Sequence, residues 1–213
     1  MWKRYELEMR ITRRLMGGVP KHPDVIQAWL EARMPSEAAF AAMEDPTPLP
    51  ELAEEVVSQV GAVETALNKV WCGFTFDEKG LYVDGYHIKS HLKDCANRLQ
   101  LYTGIKALKA KVSDKVEVEE DRCYLGRSEP DGYWEHPVHV MTKPGPRTAL
   151  KRNDYIERPT ITTHLLVLDD GVITTELLET ILKFGSTKGF GAERGLGNGR
   201  YSFTLTELPA DKP

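Results

Sequence analysis

Glycines and cations alternate in one segment near the end of the chain, residues 184–201, and this combination points to anion chemistry. Six glycines share the segment with three cations, namely Gly185, Gly189, Gly191, Gly195, Gly197, Gly199, Lys188, Arg194 and Arg200. Glycine tolerates positive φ and has no Cβ, so such a loop can press its backbone against a ligand. Its successive N–H groups form a concavity for an anion, and the cations add charge and donors. The segment predicts contact with a phosphate-bearing partner, and the alternative is a long flexible turn.

The elements that flank this loop decide which kind of phosphate site it can form. Residues 174–183 carry apolar side chains at helical spacing, whereas residues 200–207 alternate as a half-buried strand does. The order is therefore helix, glycine loop, strand. A dinucleotide fingerprint or a phosphate loop runs from strand to glycines to helix, and the chain has no G-x-x-x-x-G-K-[ST] sequence. A Rossmann or nucleotide-hydrolysing protein is disfavoured.

A predicted helix in the middle of the chain carries further basic residues. A turn at Gly85 leads into this helix, which we expect over residues 86–102. The N–H groups at such a helix N-terminus can hold a phosphate. Lys89 and Lys93, four residues apart on a solvent face, would continue a phosphate track, and Arg98 also lies off the apolar face. The alternative is that both lysines are simply solvated.

Two histidines of the same helix, His87 and His91, have a spacing that can hold a metal ion. No third ligand accompanies them, so we favour a pair that faces a ligand or is partly buried. We expect no metal site and no cofactor. Among the aromatic residues, Phe190 is flanked by glycines and is the one expected to be exposed for base stacking; alternatively, it plugs the loop onto the sheet.

Composition places the chain among globular proteins with a buried core. It has 213 residues, of which 41% are hydrophobic and 28% charged. No apolar run approaches the roughly 20 residues that cross a bilayer, and the N-terminus lacks a signal-peptide pattern. Its three cysteines are widely spaced, with no zinc or disulfide pattern. We expect a single domain over residues 1–213, in the cytoplasm and without membrane contact.

The net charge of −4 weighs against indiscriminate nucleic-acid binding, which requires a strongly basic domain. Basic residues nevertheless gather in residues 3–14, 89–111, 143–158 and 183–200. If these stretches share one face, a local basic groove survives the acidic total.

The predicted elements follow a βαββαβ plan with helical and β-hairpin insertions at about residues 36–63 and 113–142. This is the α+β, ferredoxin-like (RRM-like) arrangement. On that frame, residues 189–200 are similar to the pattern G-x-G-x-x-R-x-x-G-x-G-[RK] of the repeat-associated mysterious protein (RAMP) superfamily, with Arg194 at the internal basic position. Residues 81–99 resemble a second element of that family, in which a glycine, a lysine and a helical arginine recur. The matching positions are Gly85, Ile88, Lys89, Leu92 and Arg98.

The resemblance implies an RNA-binding backbone subunit of a CRISPR effector ribonucleoprotein that serves antiviral defence. Such subunits assemble side by side along single-stranded RNA, so copies of this chain in a filament or arc, and other effector subunits, are the implied partners. The insertions would supply subunit contacts or a thumb that interrupts base pairing. The implied RNA contacts are Gly85, His87, Lys89, Lys93, Arg98, Lys188, Gly189, Phe190, Gly191, Arg194, Gly195, Gly197, Gly199 and Arg200.

Two further functions stay open. Some members of this family cleave RNA with an aspartate soon after the first strand or with a histidine near the N-terminus, which makes Asp24 and His22 the catalytic candidates for a metal-independent endoribonuclease. Asp24 is also placed to cap a helix, which we favour. The third function is that of a viral or prophage structural or interaction protein that kept the fold without RNA binding.

Overall fold

The computed structural model describes residues 1–23, 25–26, 71–142 and 145–209. The strands are β1 (Trp2–Ile11), β2 (Arg14–Met16), β3 (Val19–Pro20), β4 (Trp71–Gly73), β5 (Thr75–Asp77), β6 (Gly80–Asp84), β7 (Val116–Val118), β8 (Arg122–Tyr124), β9 (Gly132–Thr142), β10 (Gly145–Glu157), β11 (Thr160–Leu168) and β12 (Tyr201–Leu208). The helices are α1 (Gly85–Thr103), α2 (Leu108–Lys115) and α3 (Thr175–Lys188), with a short 3-10 helix at Arg194–Leu196. The α+β class is thereby confirmed. The insertion predicted at 36–63, and Asp24, lie outside the described residues.

The chain divides into two compact units. The first comprises Met1–Met16, Lys79–Glu129 and Ile156–Pro213, and the second comprises Gly17–Glu78 and Pro130–Tyr155.

The first unit is built on a four-stranded sheet in the order β12-β1-β11-β7, in which all neighbours are antiparallel. It follows that β1 runs parallel to β7, and β11 parallel to β12, each pair being separated by one antiparallel strand. Helix α1 lies between β1 and β7 in the chain, and α3 lies between β11 and β12. Strand β7, which belongs to the predicted insertion 113–142, is an edge strand of this sheet.

Side-chain alternation fixes which face of this sheet carries the core. Along β1 the residues Tyr5, Leu7, Met9 and Ile11 are buried, while the residues between them point away, as the sequence pattern predicts. Buried residues of α1 and α3 supply the other side of the core, among them Ile88, Leu92, Leu178, Ile181 and Leu182. Burial of one such aliphatic side chain stabilises the fold by about 1.5–3 kcal/mol. The two helices are thus held against the sheet by their apolar stripes.

The second unit is organised around β10. Strand β9 pairs with it antiparallel over its whole length, from Gly145 opposite Thr142 to Tyr155 opposite Gly132. Strand β4 pairs with β10 in parallel, with Trp71 opposite Arg152, and β3 pairs antiparallel with β4.

Across the described part of the chain, no helix combines the length and the apolarity needed to cross a bilayer.

All three cysteines are free thiols, two of them buried. Burial raises the pKa of both Cys95 and Cys123 to about 11, so these two thiols stay protonated at neutral pH.

Candidate nucleic-acid interface

The glycine loop begins where α3 ends, at Gly189, and its two arms are tied together. The cap residue Gly189 has a φ of 88°, and its N–H donates to the carbonyl oxygen of Gly185 at 2.8 Å. The N–H of Phe190 donates to the carbonyl oxygen of Gly199, also at 2.8 Å. A Cβ on Gly199 would lie 1.8 Å from the carbonyl oxygen of Phe190, so no other residue fits. The base of the loop is therefore a close backbone contact that requires glycine.

The same loop packs against β2. The N–H of Ala192 donates to the carbonyl oxygen of Met16 at 3.2 Å, and the N–H of Gly199 donates to that of Arg14 at 2.8 Å. A Cβ on Gly191 would lie 2.8 Å from Leu15 Cδ1. Packing within the protein therefore accounts for these glycines.

The tip of the loop has different surroundings. A Cβ on Gly195 or on Gly197 would meet nothing within 4 Å. The N–H of Gly197, whose φ is 81°, donates to the carbonyl oxygen of Arg194 at 3.0 Å and closes the 3-10 turn. This tip is the part of the predicted anion loop that is open to a ligand.

Phe190 is buried, with 4% of its surface exposed, so its expected exposure for base stacking is wrong and it plugs the loop onto the protein. Its ring meets the edge of His91 at a centroid distance of 5.5 Å. The physical reason is that an apolar ring next to a core pocket is more stable out of water than on a loop surface.

A buried hydrogen-bond chain lies beneath the base of the loop. The Tyr201 hydroxyl donates to the carbonyl oxygen of Leu182 at 3.2 Å, so it accepts from His91 Nε2, which is 3.0 Å away. A Cβ on Gly185 would lie 2.4 Å from the Tyr201 hydroxyl oxygen. Burial, with smaller contributions from Arg194 and Lys188, lowers the pKa of His91 to about 4. His91 is thus a neutral core residue, whereas His87 is half-exposed and lies 3.6 Å from Asp84.

Two predicted cations of the loop region meet at one carboxylate of α1. Lys188 forms an ion pair with Asp94, and Arg194 Nη1 lies 3.4 Å from Asp94 Oδ2. Partial burial would raise the pKa of Asp94, but the hydrogen bond and charge of Lys188, together with Arg194, lower it. Asp94 is therefore ionised at neutral pH and holds both cations in place.

Two further lysines lie beside this carboxylate. Asp94 lines a surface depression of about 270 Å³ together with Ser90, Lys93, Asn97 and Lys109. We name the cations Lys93, Lys109, Lys188 and Arg194 the basic cluster. They come from α1, α2, α3 and the glycine loop in turn. Four cations around one carboxylate leave excess positive charge, and the hydroxyl of Ser90 and the amide of Asn97 add neutral hydrogen-bonding groups.

Other predicted RNA contacts interact with residues outside the basic cluster. Lys89 Nζ contacts both carboxylate oxygens of Glu117 at 2.6 Å. The N–H of Gly85 donates to the carbonyl oxygen of Asp121 at 2.8 Å. A Cβ on Gly85 would lie 2.0 Å from the carbonyl oxygen of Glu120, so this glycine also serves close packing. Arg98 and Arg200 are exposed.

The predicted catalytic residues are placed only in part. His22 is buried, with 6% of its surface exposed, and its carbonyl oxygen accepts from the N–H of Ile26 at 2.9 Å. Asp24 lies outside the described residues, so its catalytic role stays a prediction.

One side-chain group in the described ranges has the composition of a metal site, namely Glu119, Glu120 and His164. Its oxygens already have protein partners. Glu120 Oε2 accepts from Thr163 Oγ1 at 2.5 Å and from the N–H of His164 at 2.7 Å, and Arg4 Nε donates to Glu119 at 2.7 Å. These hydrogen bonds along the sheet account for why the three side chains lie together.

Sequence reasoning identified Lys93, Lys188 and Arg194 but missed Asp94 and Lys109. Asp94 carries a detectable signal, because an acid directly after Lys93 shares the solvent side of α1. Lys109 belongs to the basic stretch 89–111, but only the fold brings α2 to this place.

Comparison with known proteins gives fold neighbours. No protein-family model matches the sequence, and no curated protein matches it. The chain is similar to a chain of the type III-B Cmr-beta complex bound to cognate target RNA, with a TM-score of 0.49 and 12% identity over 97% of this chain and 61% of that chain. It thus spans about three-fifths of that neighbour's length. It is also similar to a chain of a type IV-B CRISPR complex, with a TM-score of 0.45 and 8% identity over 99% of this chain and 95% of that one. These structural neighbours are subunits of CRISPR complexes, and the likeness is one of fold.

Proposed function

We propose that this protein binds single-stranded RNA through the basic cluster and the open tip of the glycine loop. One observation carries the proposal: two lysines of the basic cluster line a depression together with Asp94, and the other two cations of the cluster pair with this carboxylate. Isolated surface ion pairs contribute only about 0–1 kcal/mol to stability, so folding alone gives little reason to gather these charges. A phosphate would find cationic and neutral donors together there.

The ligand we propose is a polynucleotide rather than a small phosphate compound. The site is a partly open surface depression lined by exposed and half-exposed residues, among them Ser90 and Asn97, instead of an enclosed pocket. Phosphates spaced along a strand can engage several cations in turn and release their counterions. Serine and asparagine side chains can also bond the 2′-hydroxyl that distinguishes RNA from DNA.

We propose that the first unit is a ferredoxin-like βαββαβ domain of the RAMP type, because its strand order contains two split βαβ connections. In this proposal the protein is a backbone subunit of a CRISPR-like ribonucleoprotein. It works in the cytoplasm, beside further copies of itself and other effector subunits.

The experiment compares two lysines of the same helix. Lys109 belongs to the basic cluster, whereas Lys115, also in α2, pairs with Asp170. We expect Lys109→Ala to weaken binding of a labelled single-stranded RNA about fivefold, since the loss of one charge pair at about 4 Å in water costs about 1 kcal/mol. Arg194→Ala should act similarly, and RNAs of different sequence should lose affinity alike.

Lys115→Ala is the matched control and should bind as the unmodified protein does. If Lys109→Ala and Arg194→Ala also bind normally, the basic cluster is not the RNA site.

A further inference from the structure

A second group of aromatic and cationic side chains lies on one face of the sheet in the second unit. Lys21 Nζ lies 4.4 Å from the ring centre of Trp71, and the guanidinium carbon of Arg152 lies 4.6 Å from that of Trp71. The same guanidinium lies 4.3 Å from the ring centre of Tyr133. Lys21, Trp71, Arg152 and Tyr133 thus alternate cation and ring, and we name them the cation–π stack.

Strand register explains why these residues meet. Trp71 of β4 lies opposite Arg152 of β10, and Tyr133 of β9 lies opposite Asp154, two residues further along β10. Side chains two apart on a strand share a face, and residues opposite one another do too. Trp71, Tyr133, Arg152 and Asp154 are therefore on the same face.

Two carboxylates hold the stack rigid. Buried Asp154 accepts from Trp71 Nε1 at 2.6 Å and from Lys21 Nζ at 3.0 Å. Glu135 accepts from Arg152 Nε, also at 2.6 Å. A Cβ on Gly73 would lie 2.6 Å from Asp154 Oδ2, so a glycine is needed beside this carboxylate. With both cations paired, the stack carries no excess charge, and its rings are fixed before any ligand arrives.

The stack ends in an exposed ring. Tyr133 keeps 55% of its surface exposed, although one of its neighbours is the Arg152 guanidinium. A flat ring that is held in place and open to solvent is what a nucleobase stacks on, and base–aromatic stacking is tolerant of sequence. An apolar protein partner would instead require a wider apolar patch, whereas the charged Arg152, paired with Glu135, lies against this ring.

We propose that Tyr133, supported by Arg152 and Trp71, is a stacking platform for a base of single-stranded nucleic acid. This site lies wholly in the second unit and does not require the basic cluster. Its contribution to binding comes from the base rather than from phosphate.

The test measures the affinity of the whole protein for two labelled oligomers of equal length, a decauridylate and its abasic ribose-phosphate counterpart. Tyr133→Ala should weaken decauridylate binding about five- to hundredfold and leave binding of the abasic oligomer unchanged. Tyr133→Phe, which keeps the ring, should restore the affinity. Tyr102→Ala, which removes a tyrosine that is 84% exposed on α1, is the control and should have no effect.

Three outcomes would overturn the proposal: unchanged decauridylate binding by Tyr133→Ala, an equal loss for both oligomers, or a change in self-association alone, which would make this face a protein interface. A loss with Tyr133→Ala while Lys109→Ala and Arg194→Ala bind normally would support the stack and reject only the basic cluster.

Discussion

Glycines at the base and at the tip of the loop have opposite surroundings. At the base, Gly189 and Gly199 are pressed against carbonyl groups of the facing arm, where a Cβ would lie 2.5 Å from the Asn198 oxygen or 1.8 Å from the Phe190 oxygen. At the tip, Gly195 and Gly197 face open space. A sequence pattern that looks uniform thus divides into a part that folding requires and a part left for a ligand. The comparison predicts that changes at the base alter stability, whereas changes near the tip alter binding.

The largest effect should come from a base glycine. Gly199→Ala places a Cβ against the Phe190 carbonyl at a φ of 71°, so we expect the free energy of unfolding to fall by at least about 3 kcal/mol. Chemical denaturation measures the change. Gly195→Ala is the matched control at the tip and should alter stability by less than about 1 kcal/mol. Equal stabilities of the two variants would refute the division into base and tip.

The next largest effect should be a pH dependence of stability that comes from the core beneath the base of the loop. Since burial lowers the pKa of His91 to about 4, below about pH 6.5 the unfolded chain gains a proton at His91 that the folded protein does not accept. As pH decreases from 6.5 to 4, this proton uptake by the unfolded chain should lower the free energy of unfolding by about 1.4 kcal/mol per pH unit. At still lower pH both states are protonated, and the loss stays constant.

Denaturation of His91→Phe over the same pH range isolates this contribution, because other groups titrate equally in both proteins. The variant should show a smaller pH dependence between pH 4 and 6.5. Parallel curves would mean that His91 takes up its proton equally in the folded and unfolded protein.

The smallest effect should come from the carboxylate near the tip. Asp94→Asn removes the negative charge that pairs with Lys188 and Arg194. We expect RNA affinity to rise about fivefold, which corresponds to about 1 kcal/mol for a charge at 4 Å in water. Stability should change by less than about 1 kcal/mol, since the ion pairs are partly exposed. Weaker RNA binding would show that Asp94 positions the two cations instead of competing with phosphate.

The sequence predicts the regular elements well where periodicity is strong. The alternation in β1 and β12 and the β-prone residues of β11 identify these strands, and α1 is observed within one residue of its predicted ends. Helix α3 runs to Lys188 instead of ending at residue 183, because Gly185, a poor helix former, fits against Tyr201 and His91. A tertiary contact here overrides a local preference.

Strand β10, by contrast, has no periodicity that would predict it. Its buried Asn153 and Asp154 are polar, so the strand lacks the pattern of alternating apolar residues. Asn153 Nδ2 donates to the Gly17 carbonyl oxygen at 2.8 Å, and Asp154 accepts from Trp71 and Lys21. These partners are distant in sequence, so neither the strand nor the cation–π stack could be predicted. The basic cluster was predictable only in part for the same reason, since Lys109 reaches it through the fold.

The salt dependence of RNA affinity tests the central claim most directly. If the four cations of the basic cluster neutralise phosphates, the logarithm of the association constant for decauridylate should fall with the logarithm of salt concentration at a slope of about −2 to −3. For the double variant Lys93→Ala/Arg194→Ala, the slope should be shallower by about 1.4, because two phosphate contacts are lost and each contributes about 0.7 to the slope. A flat slope for the unmodified protein, or equal slopes for both proteins, would contradict the account.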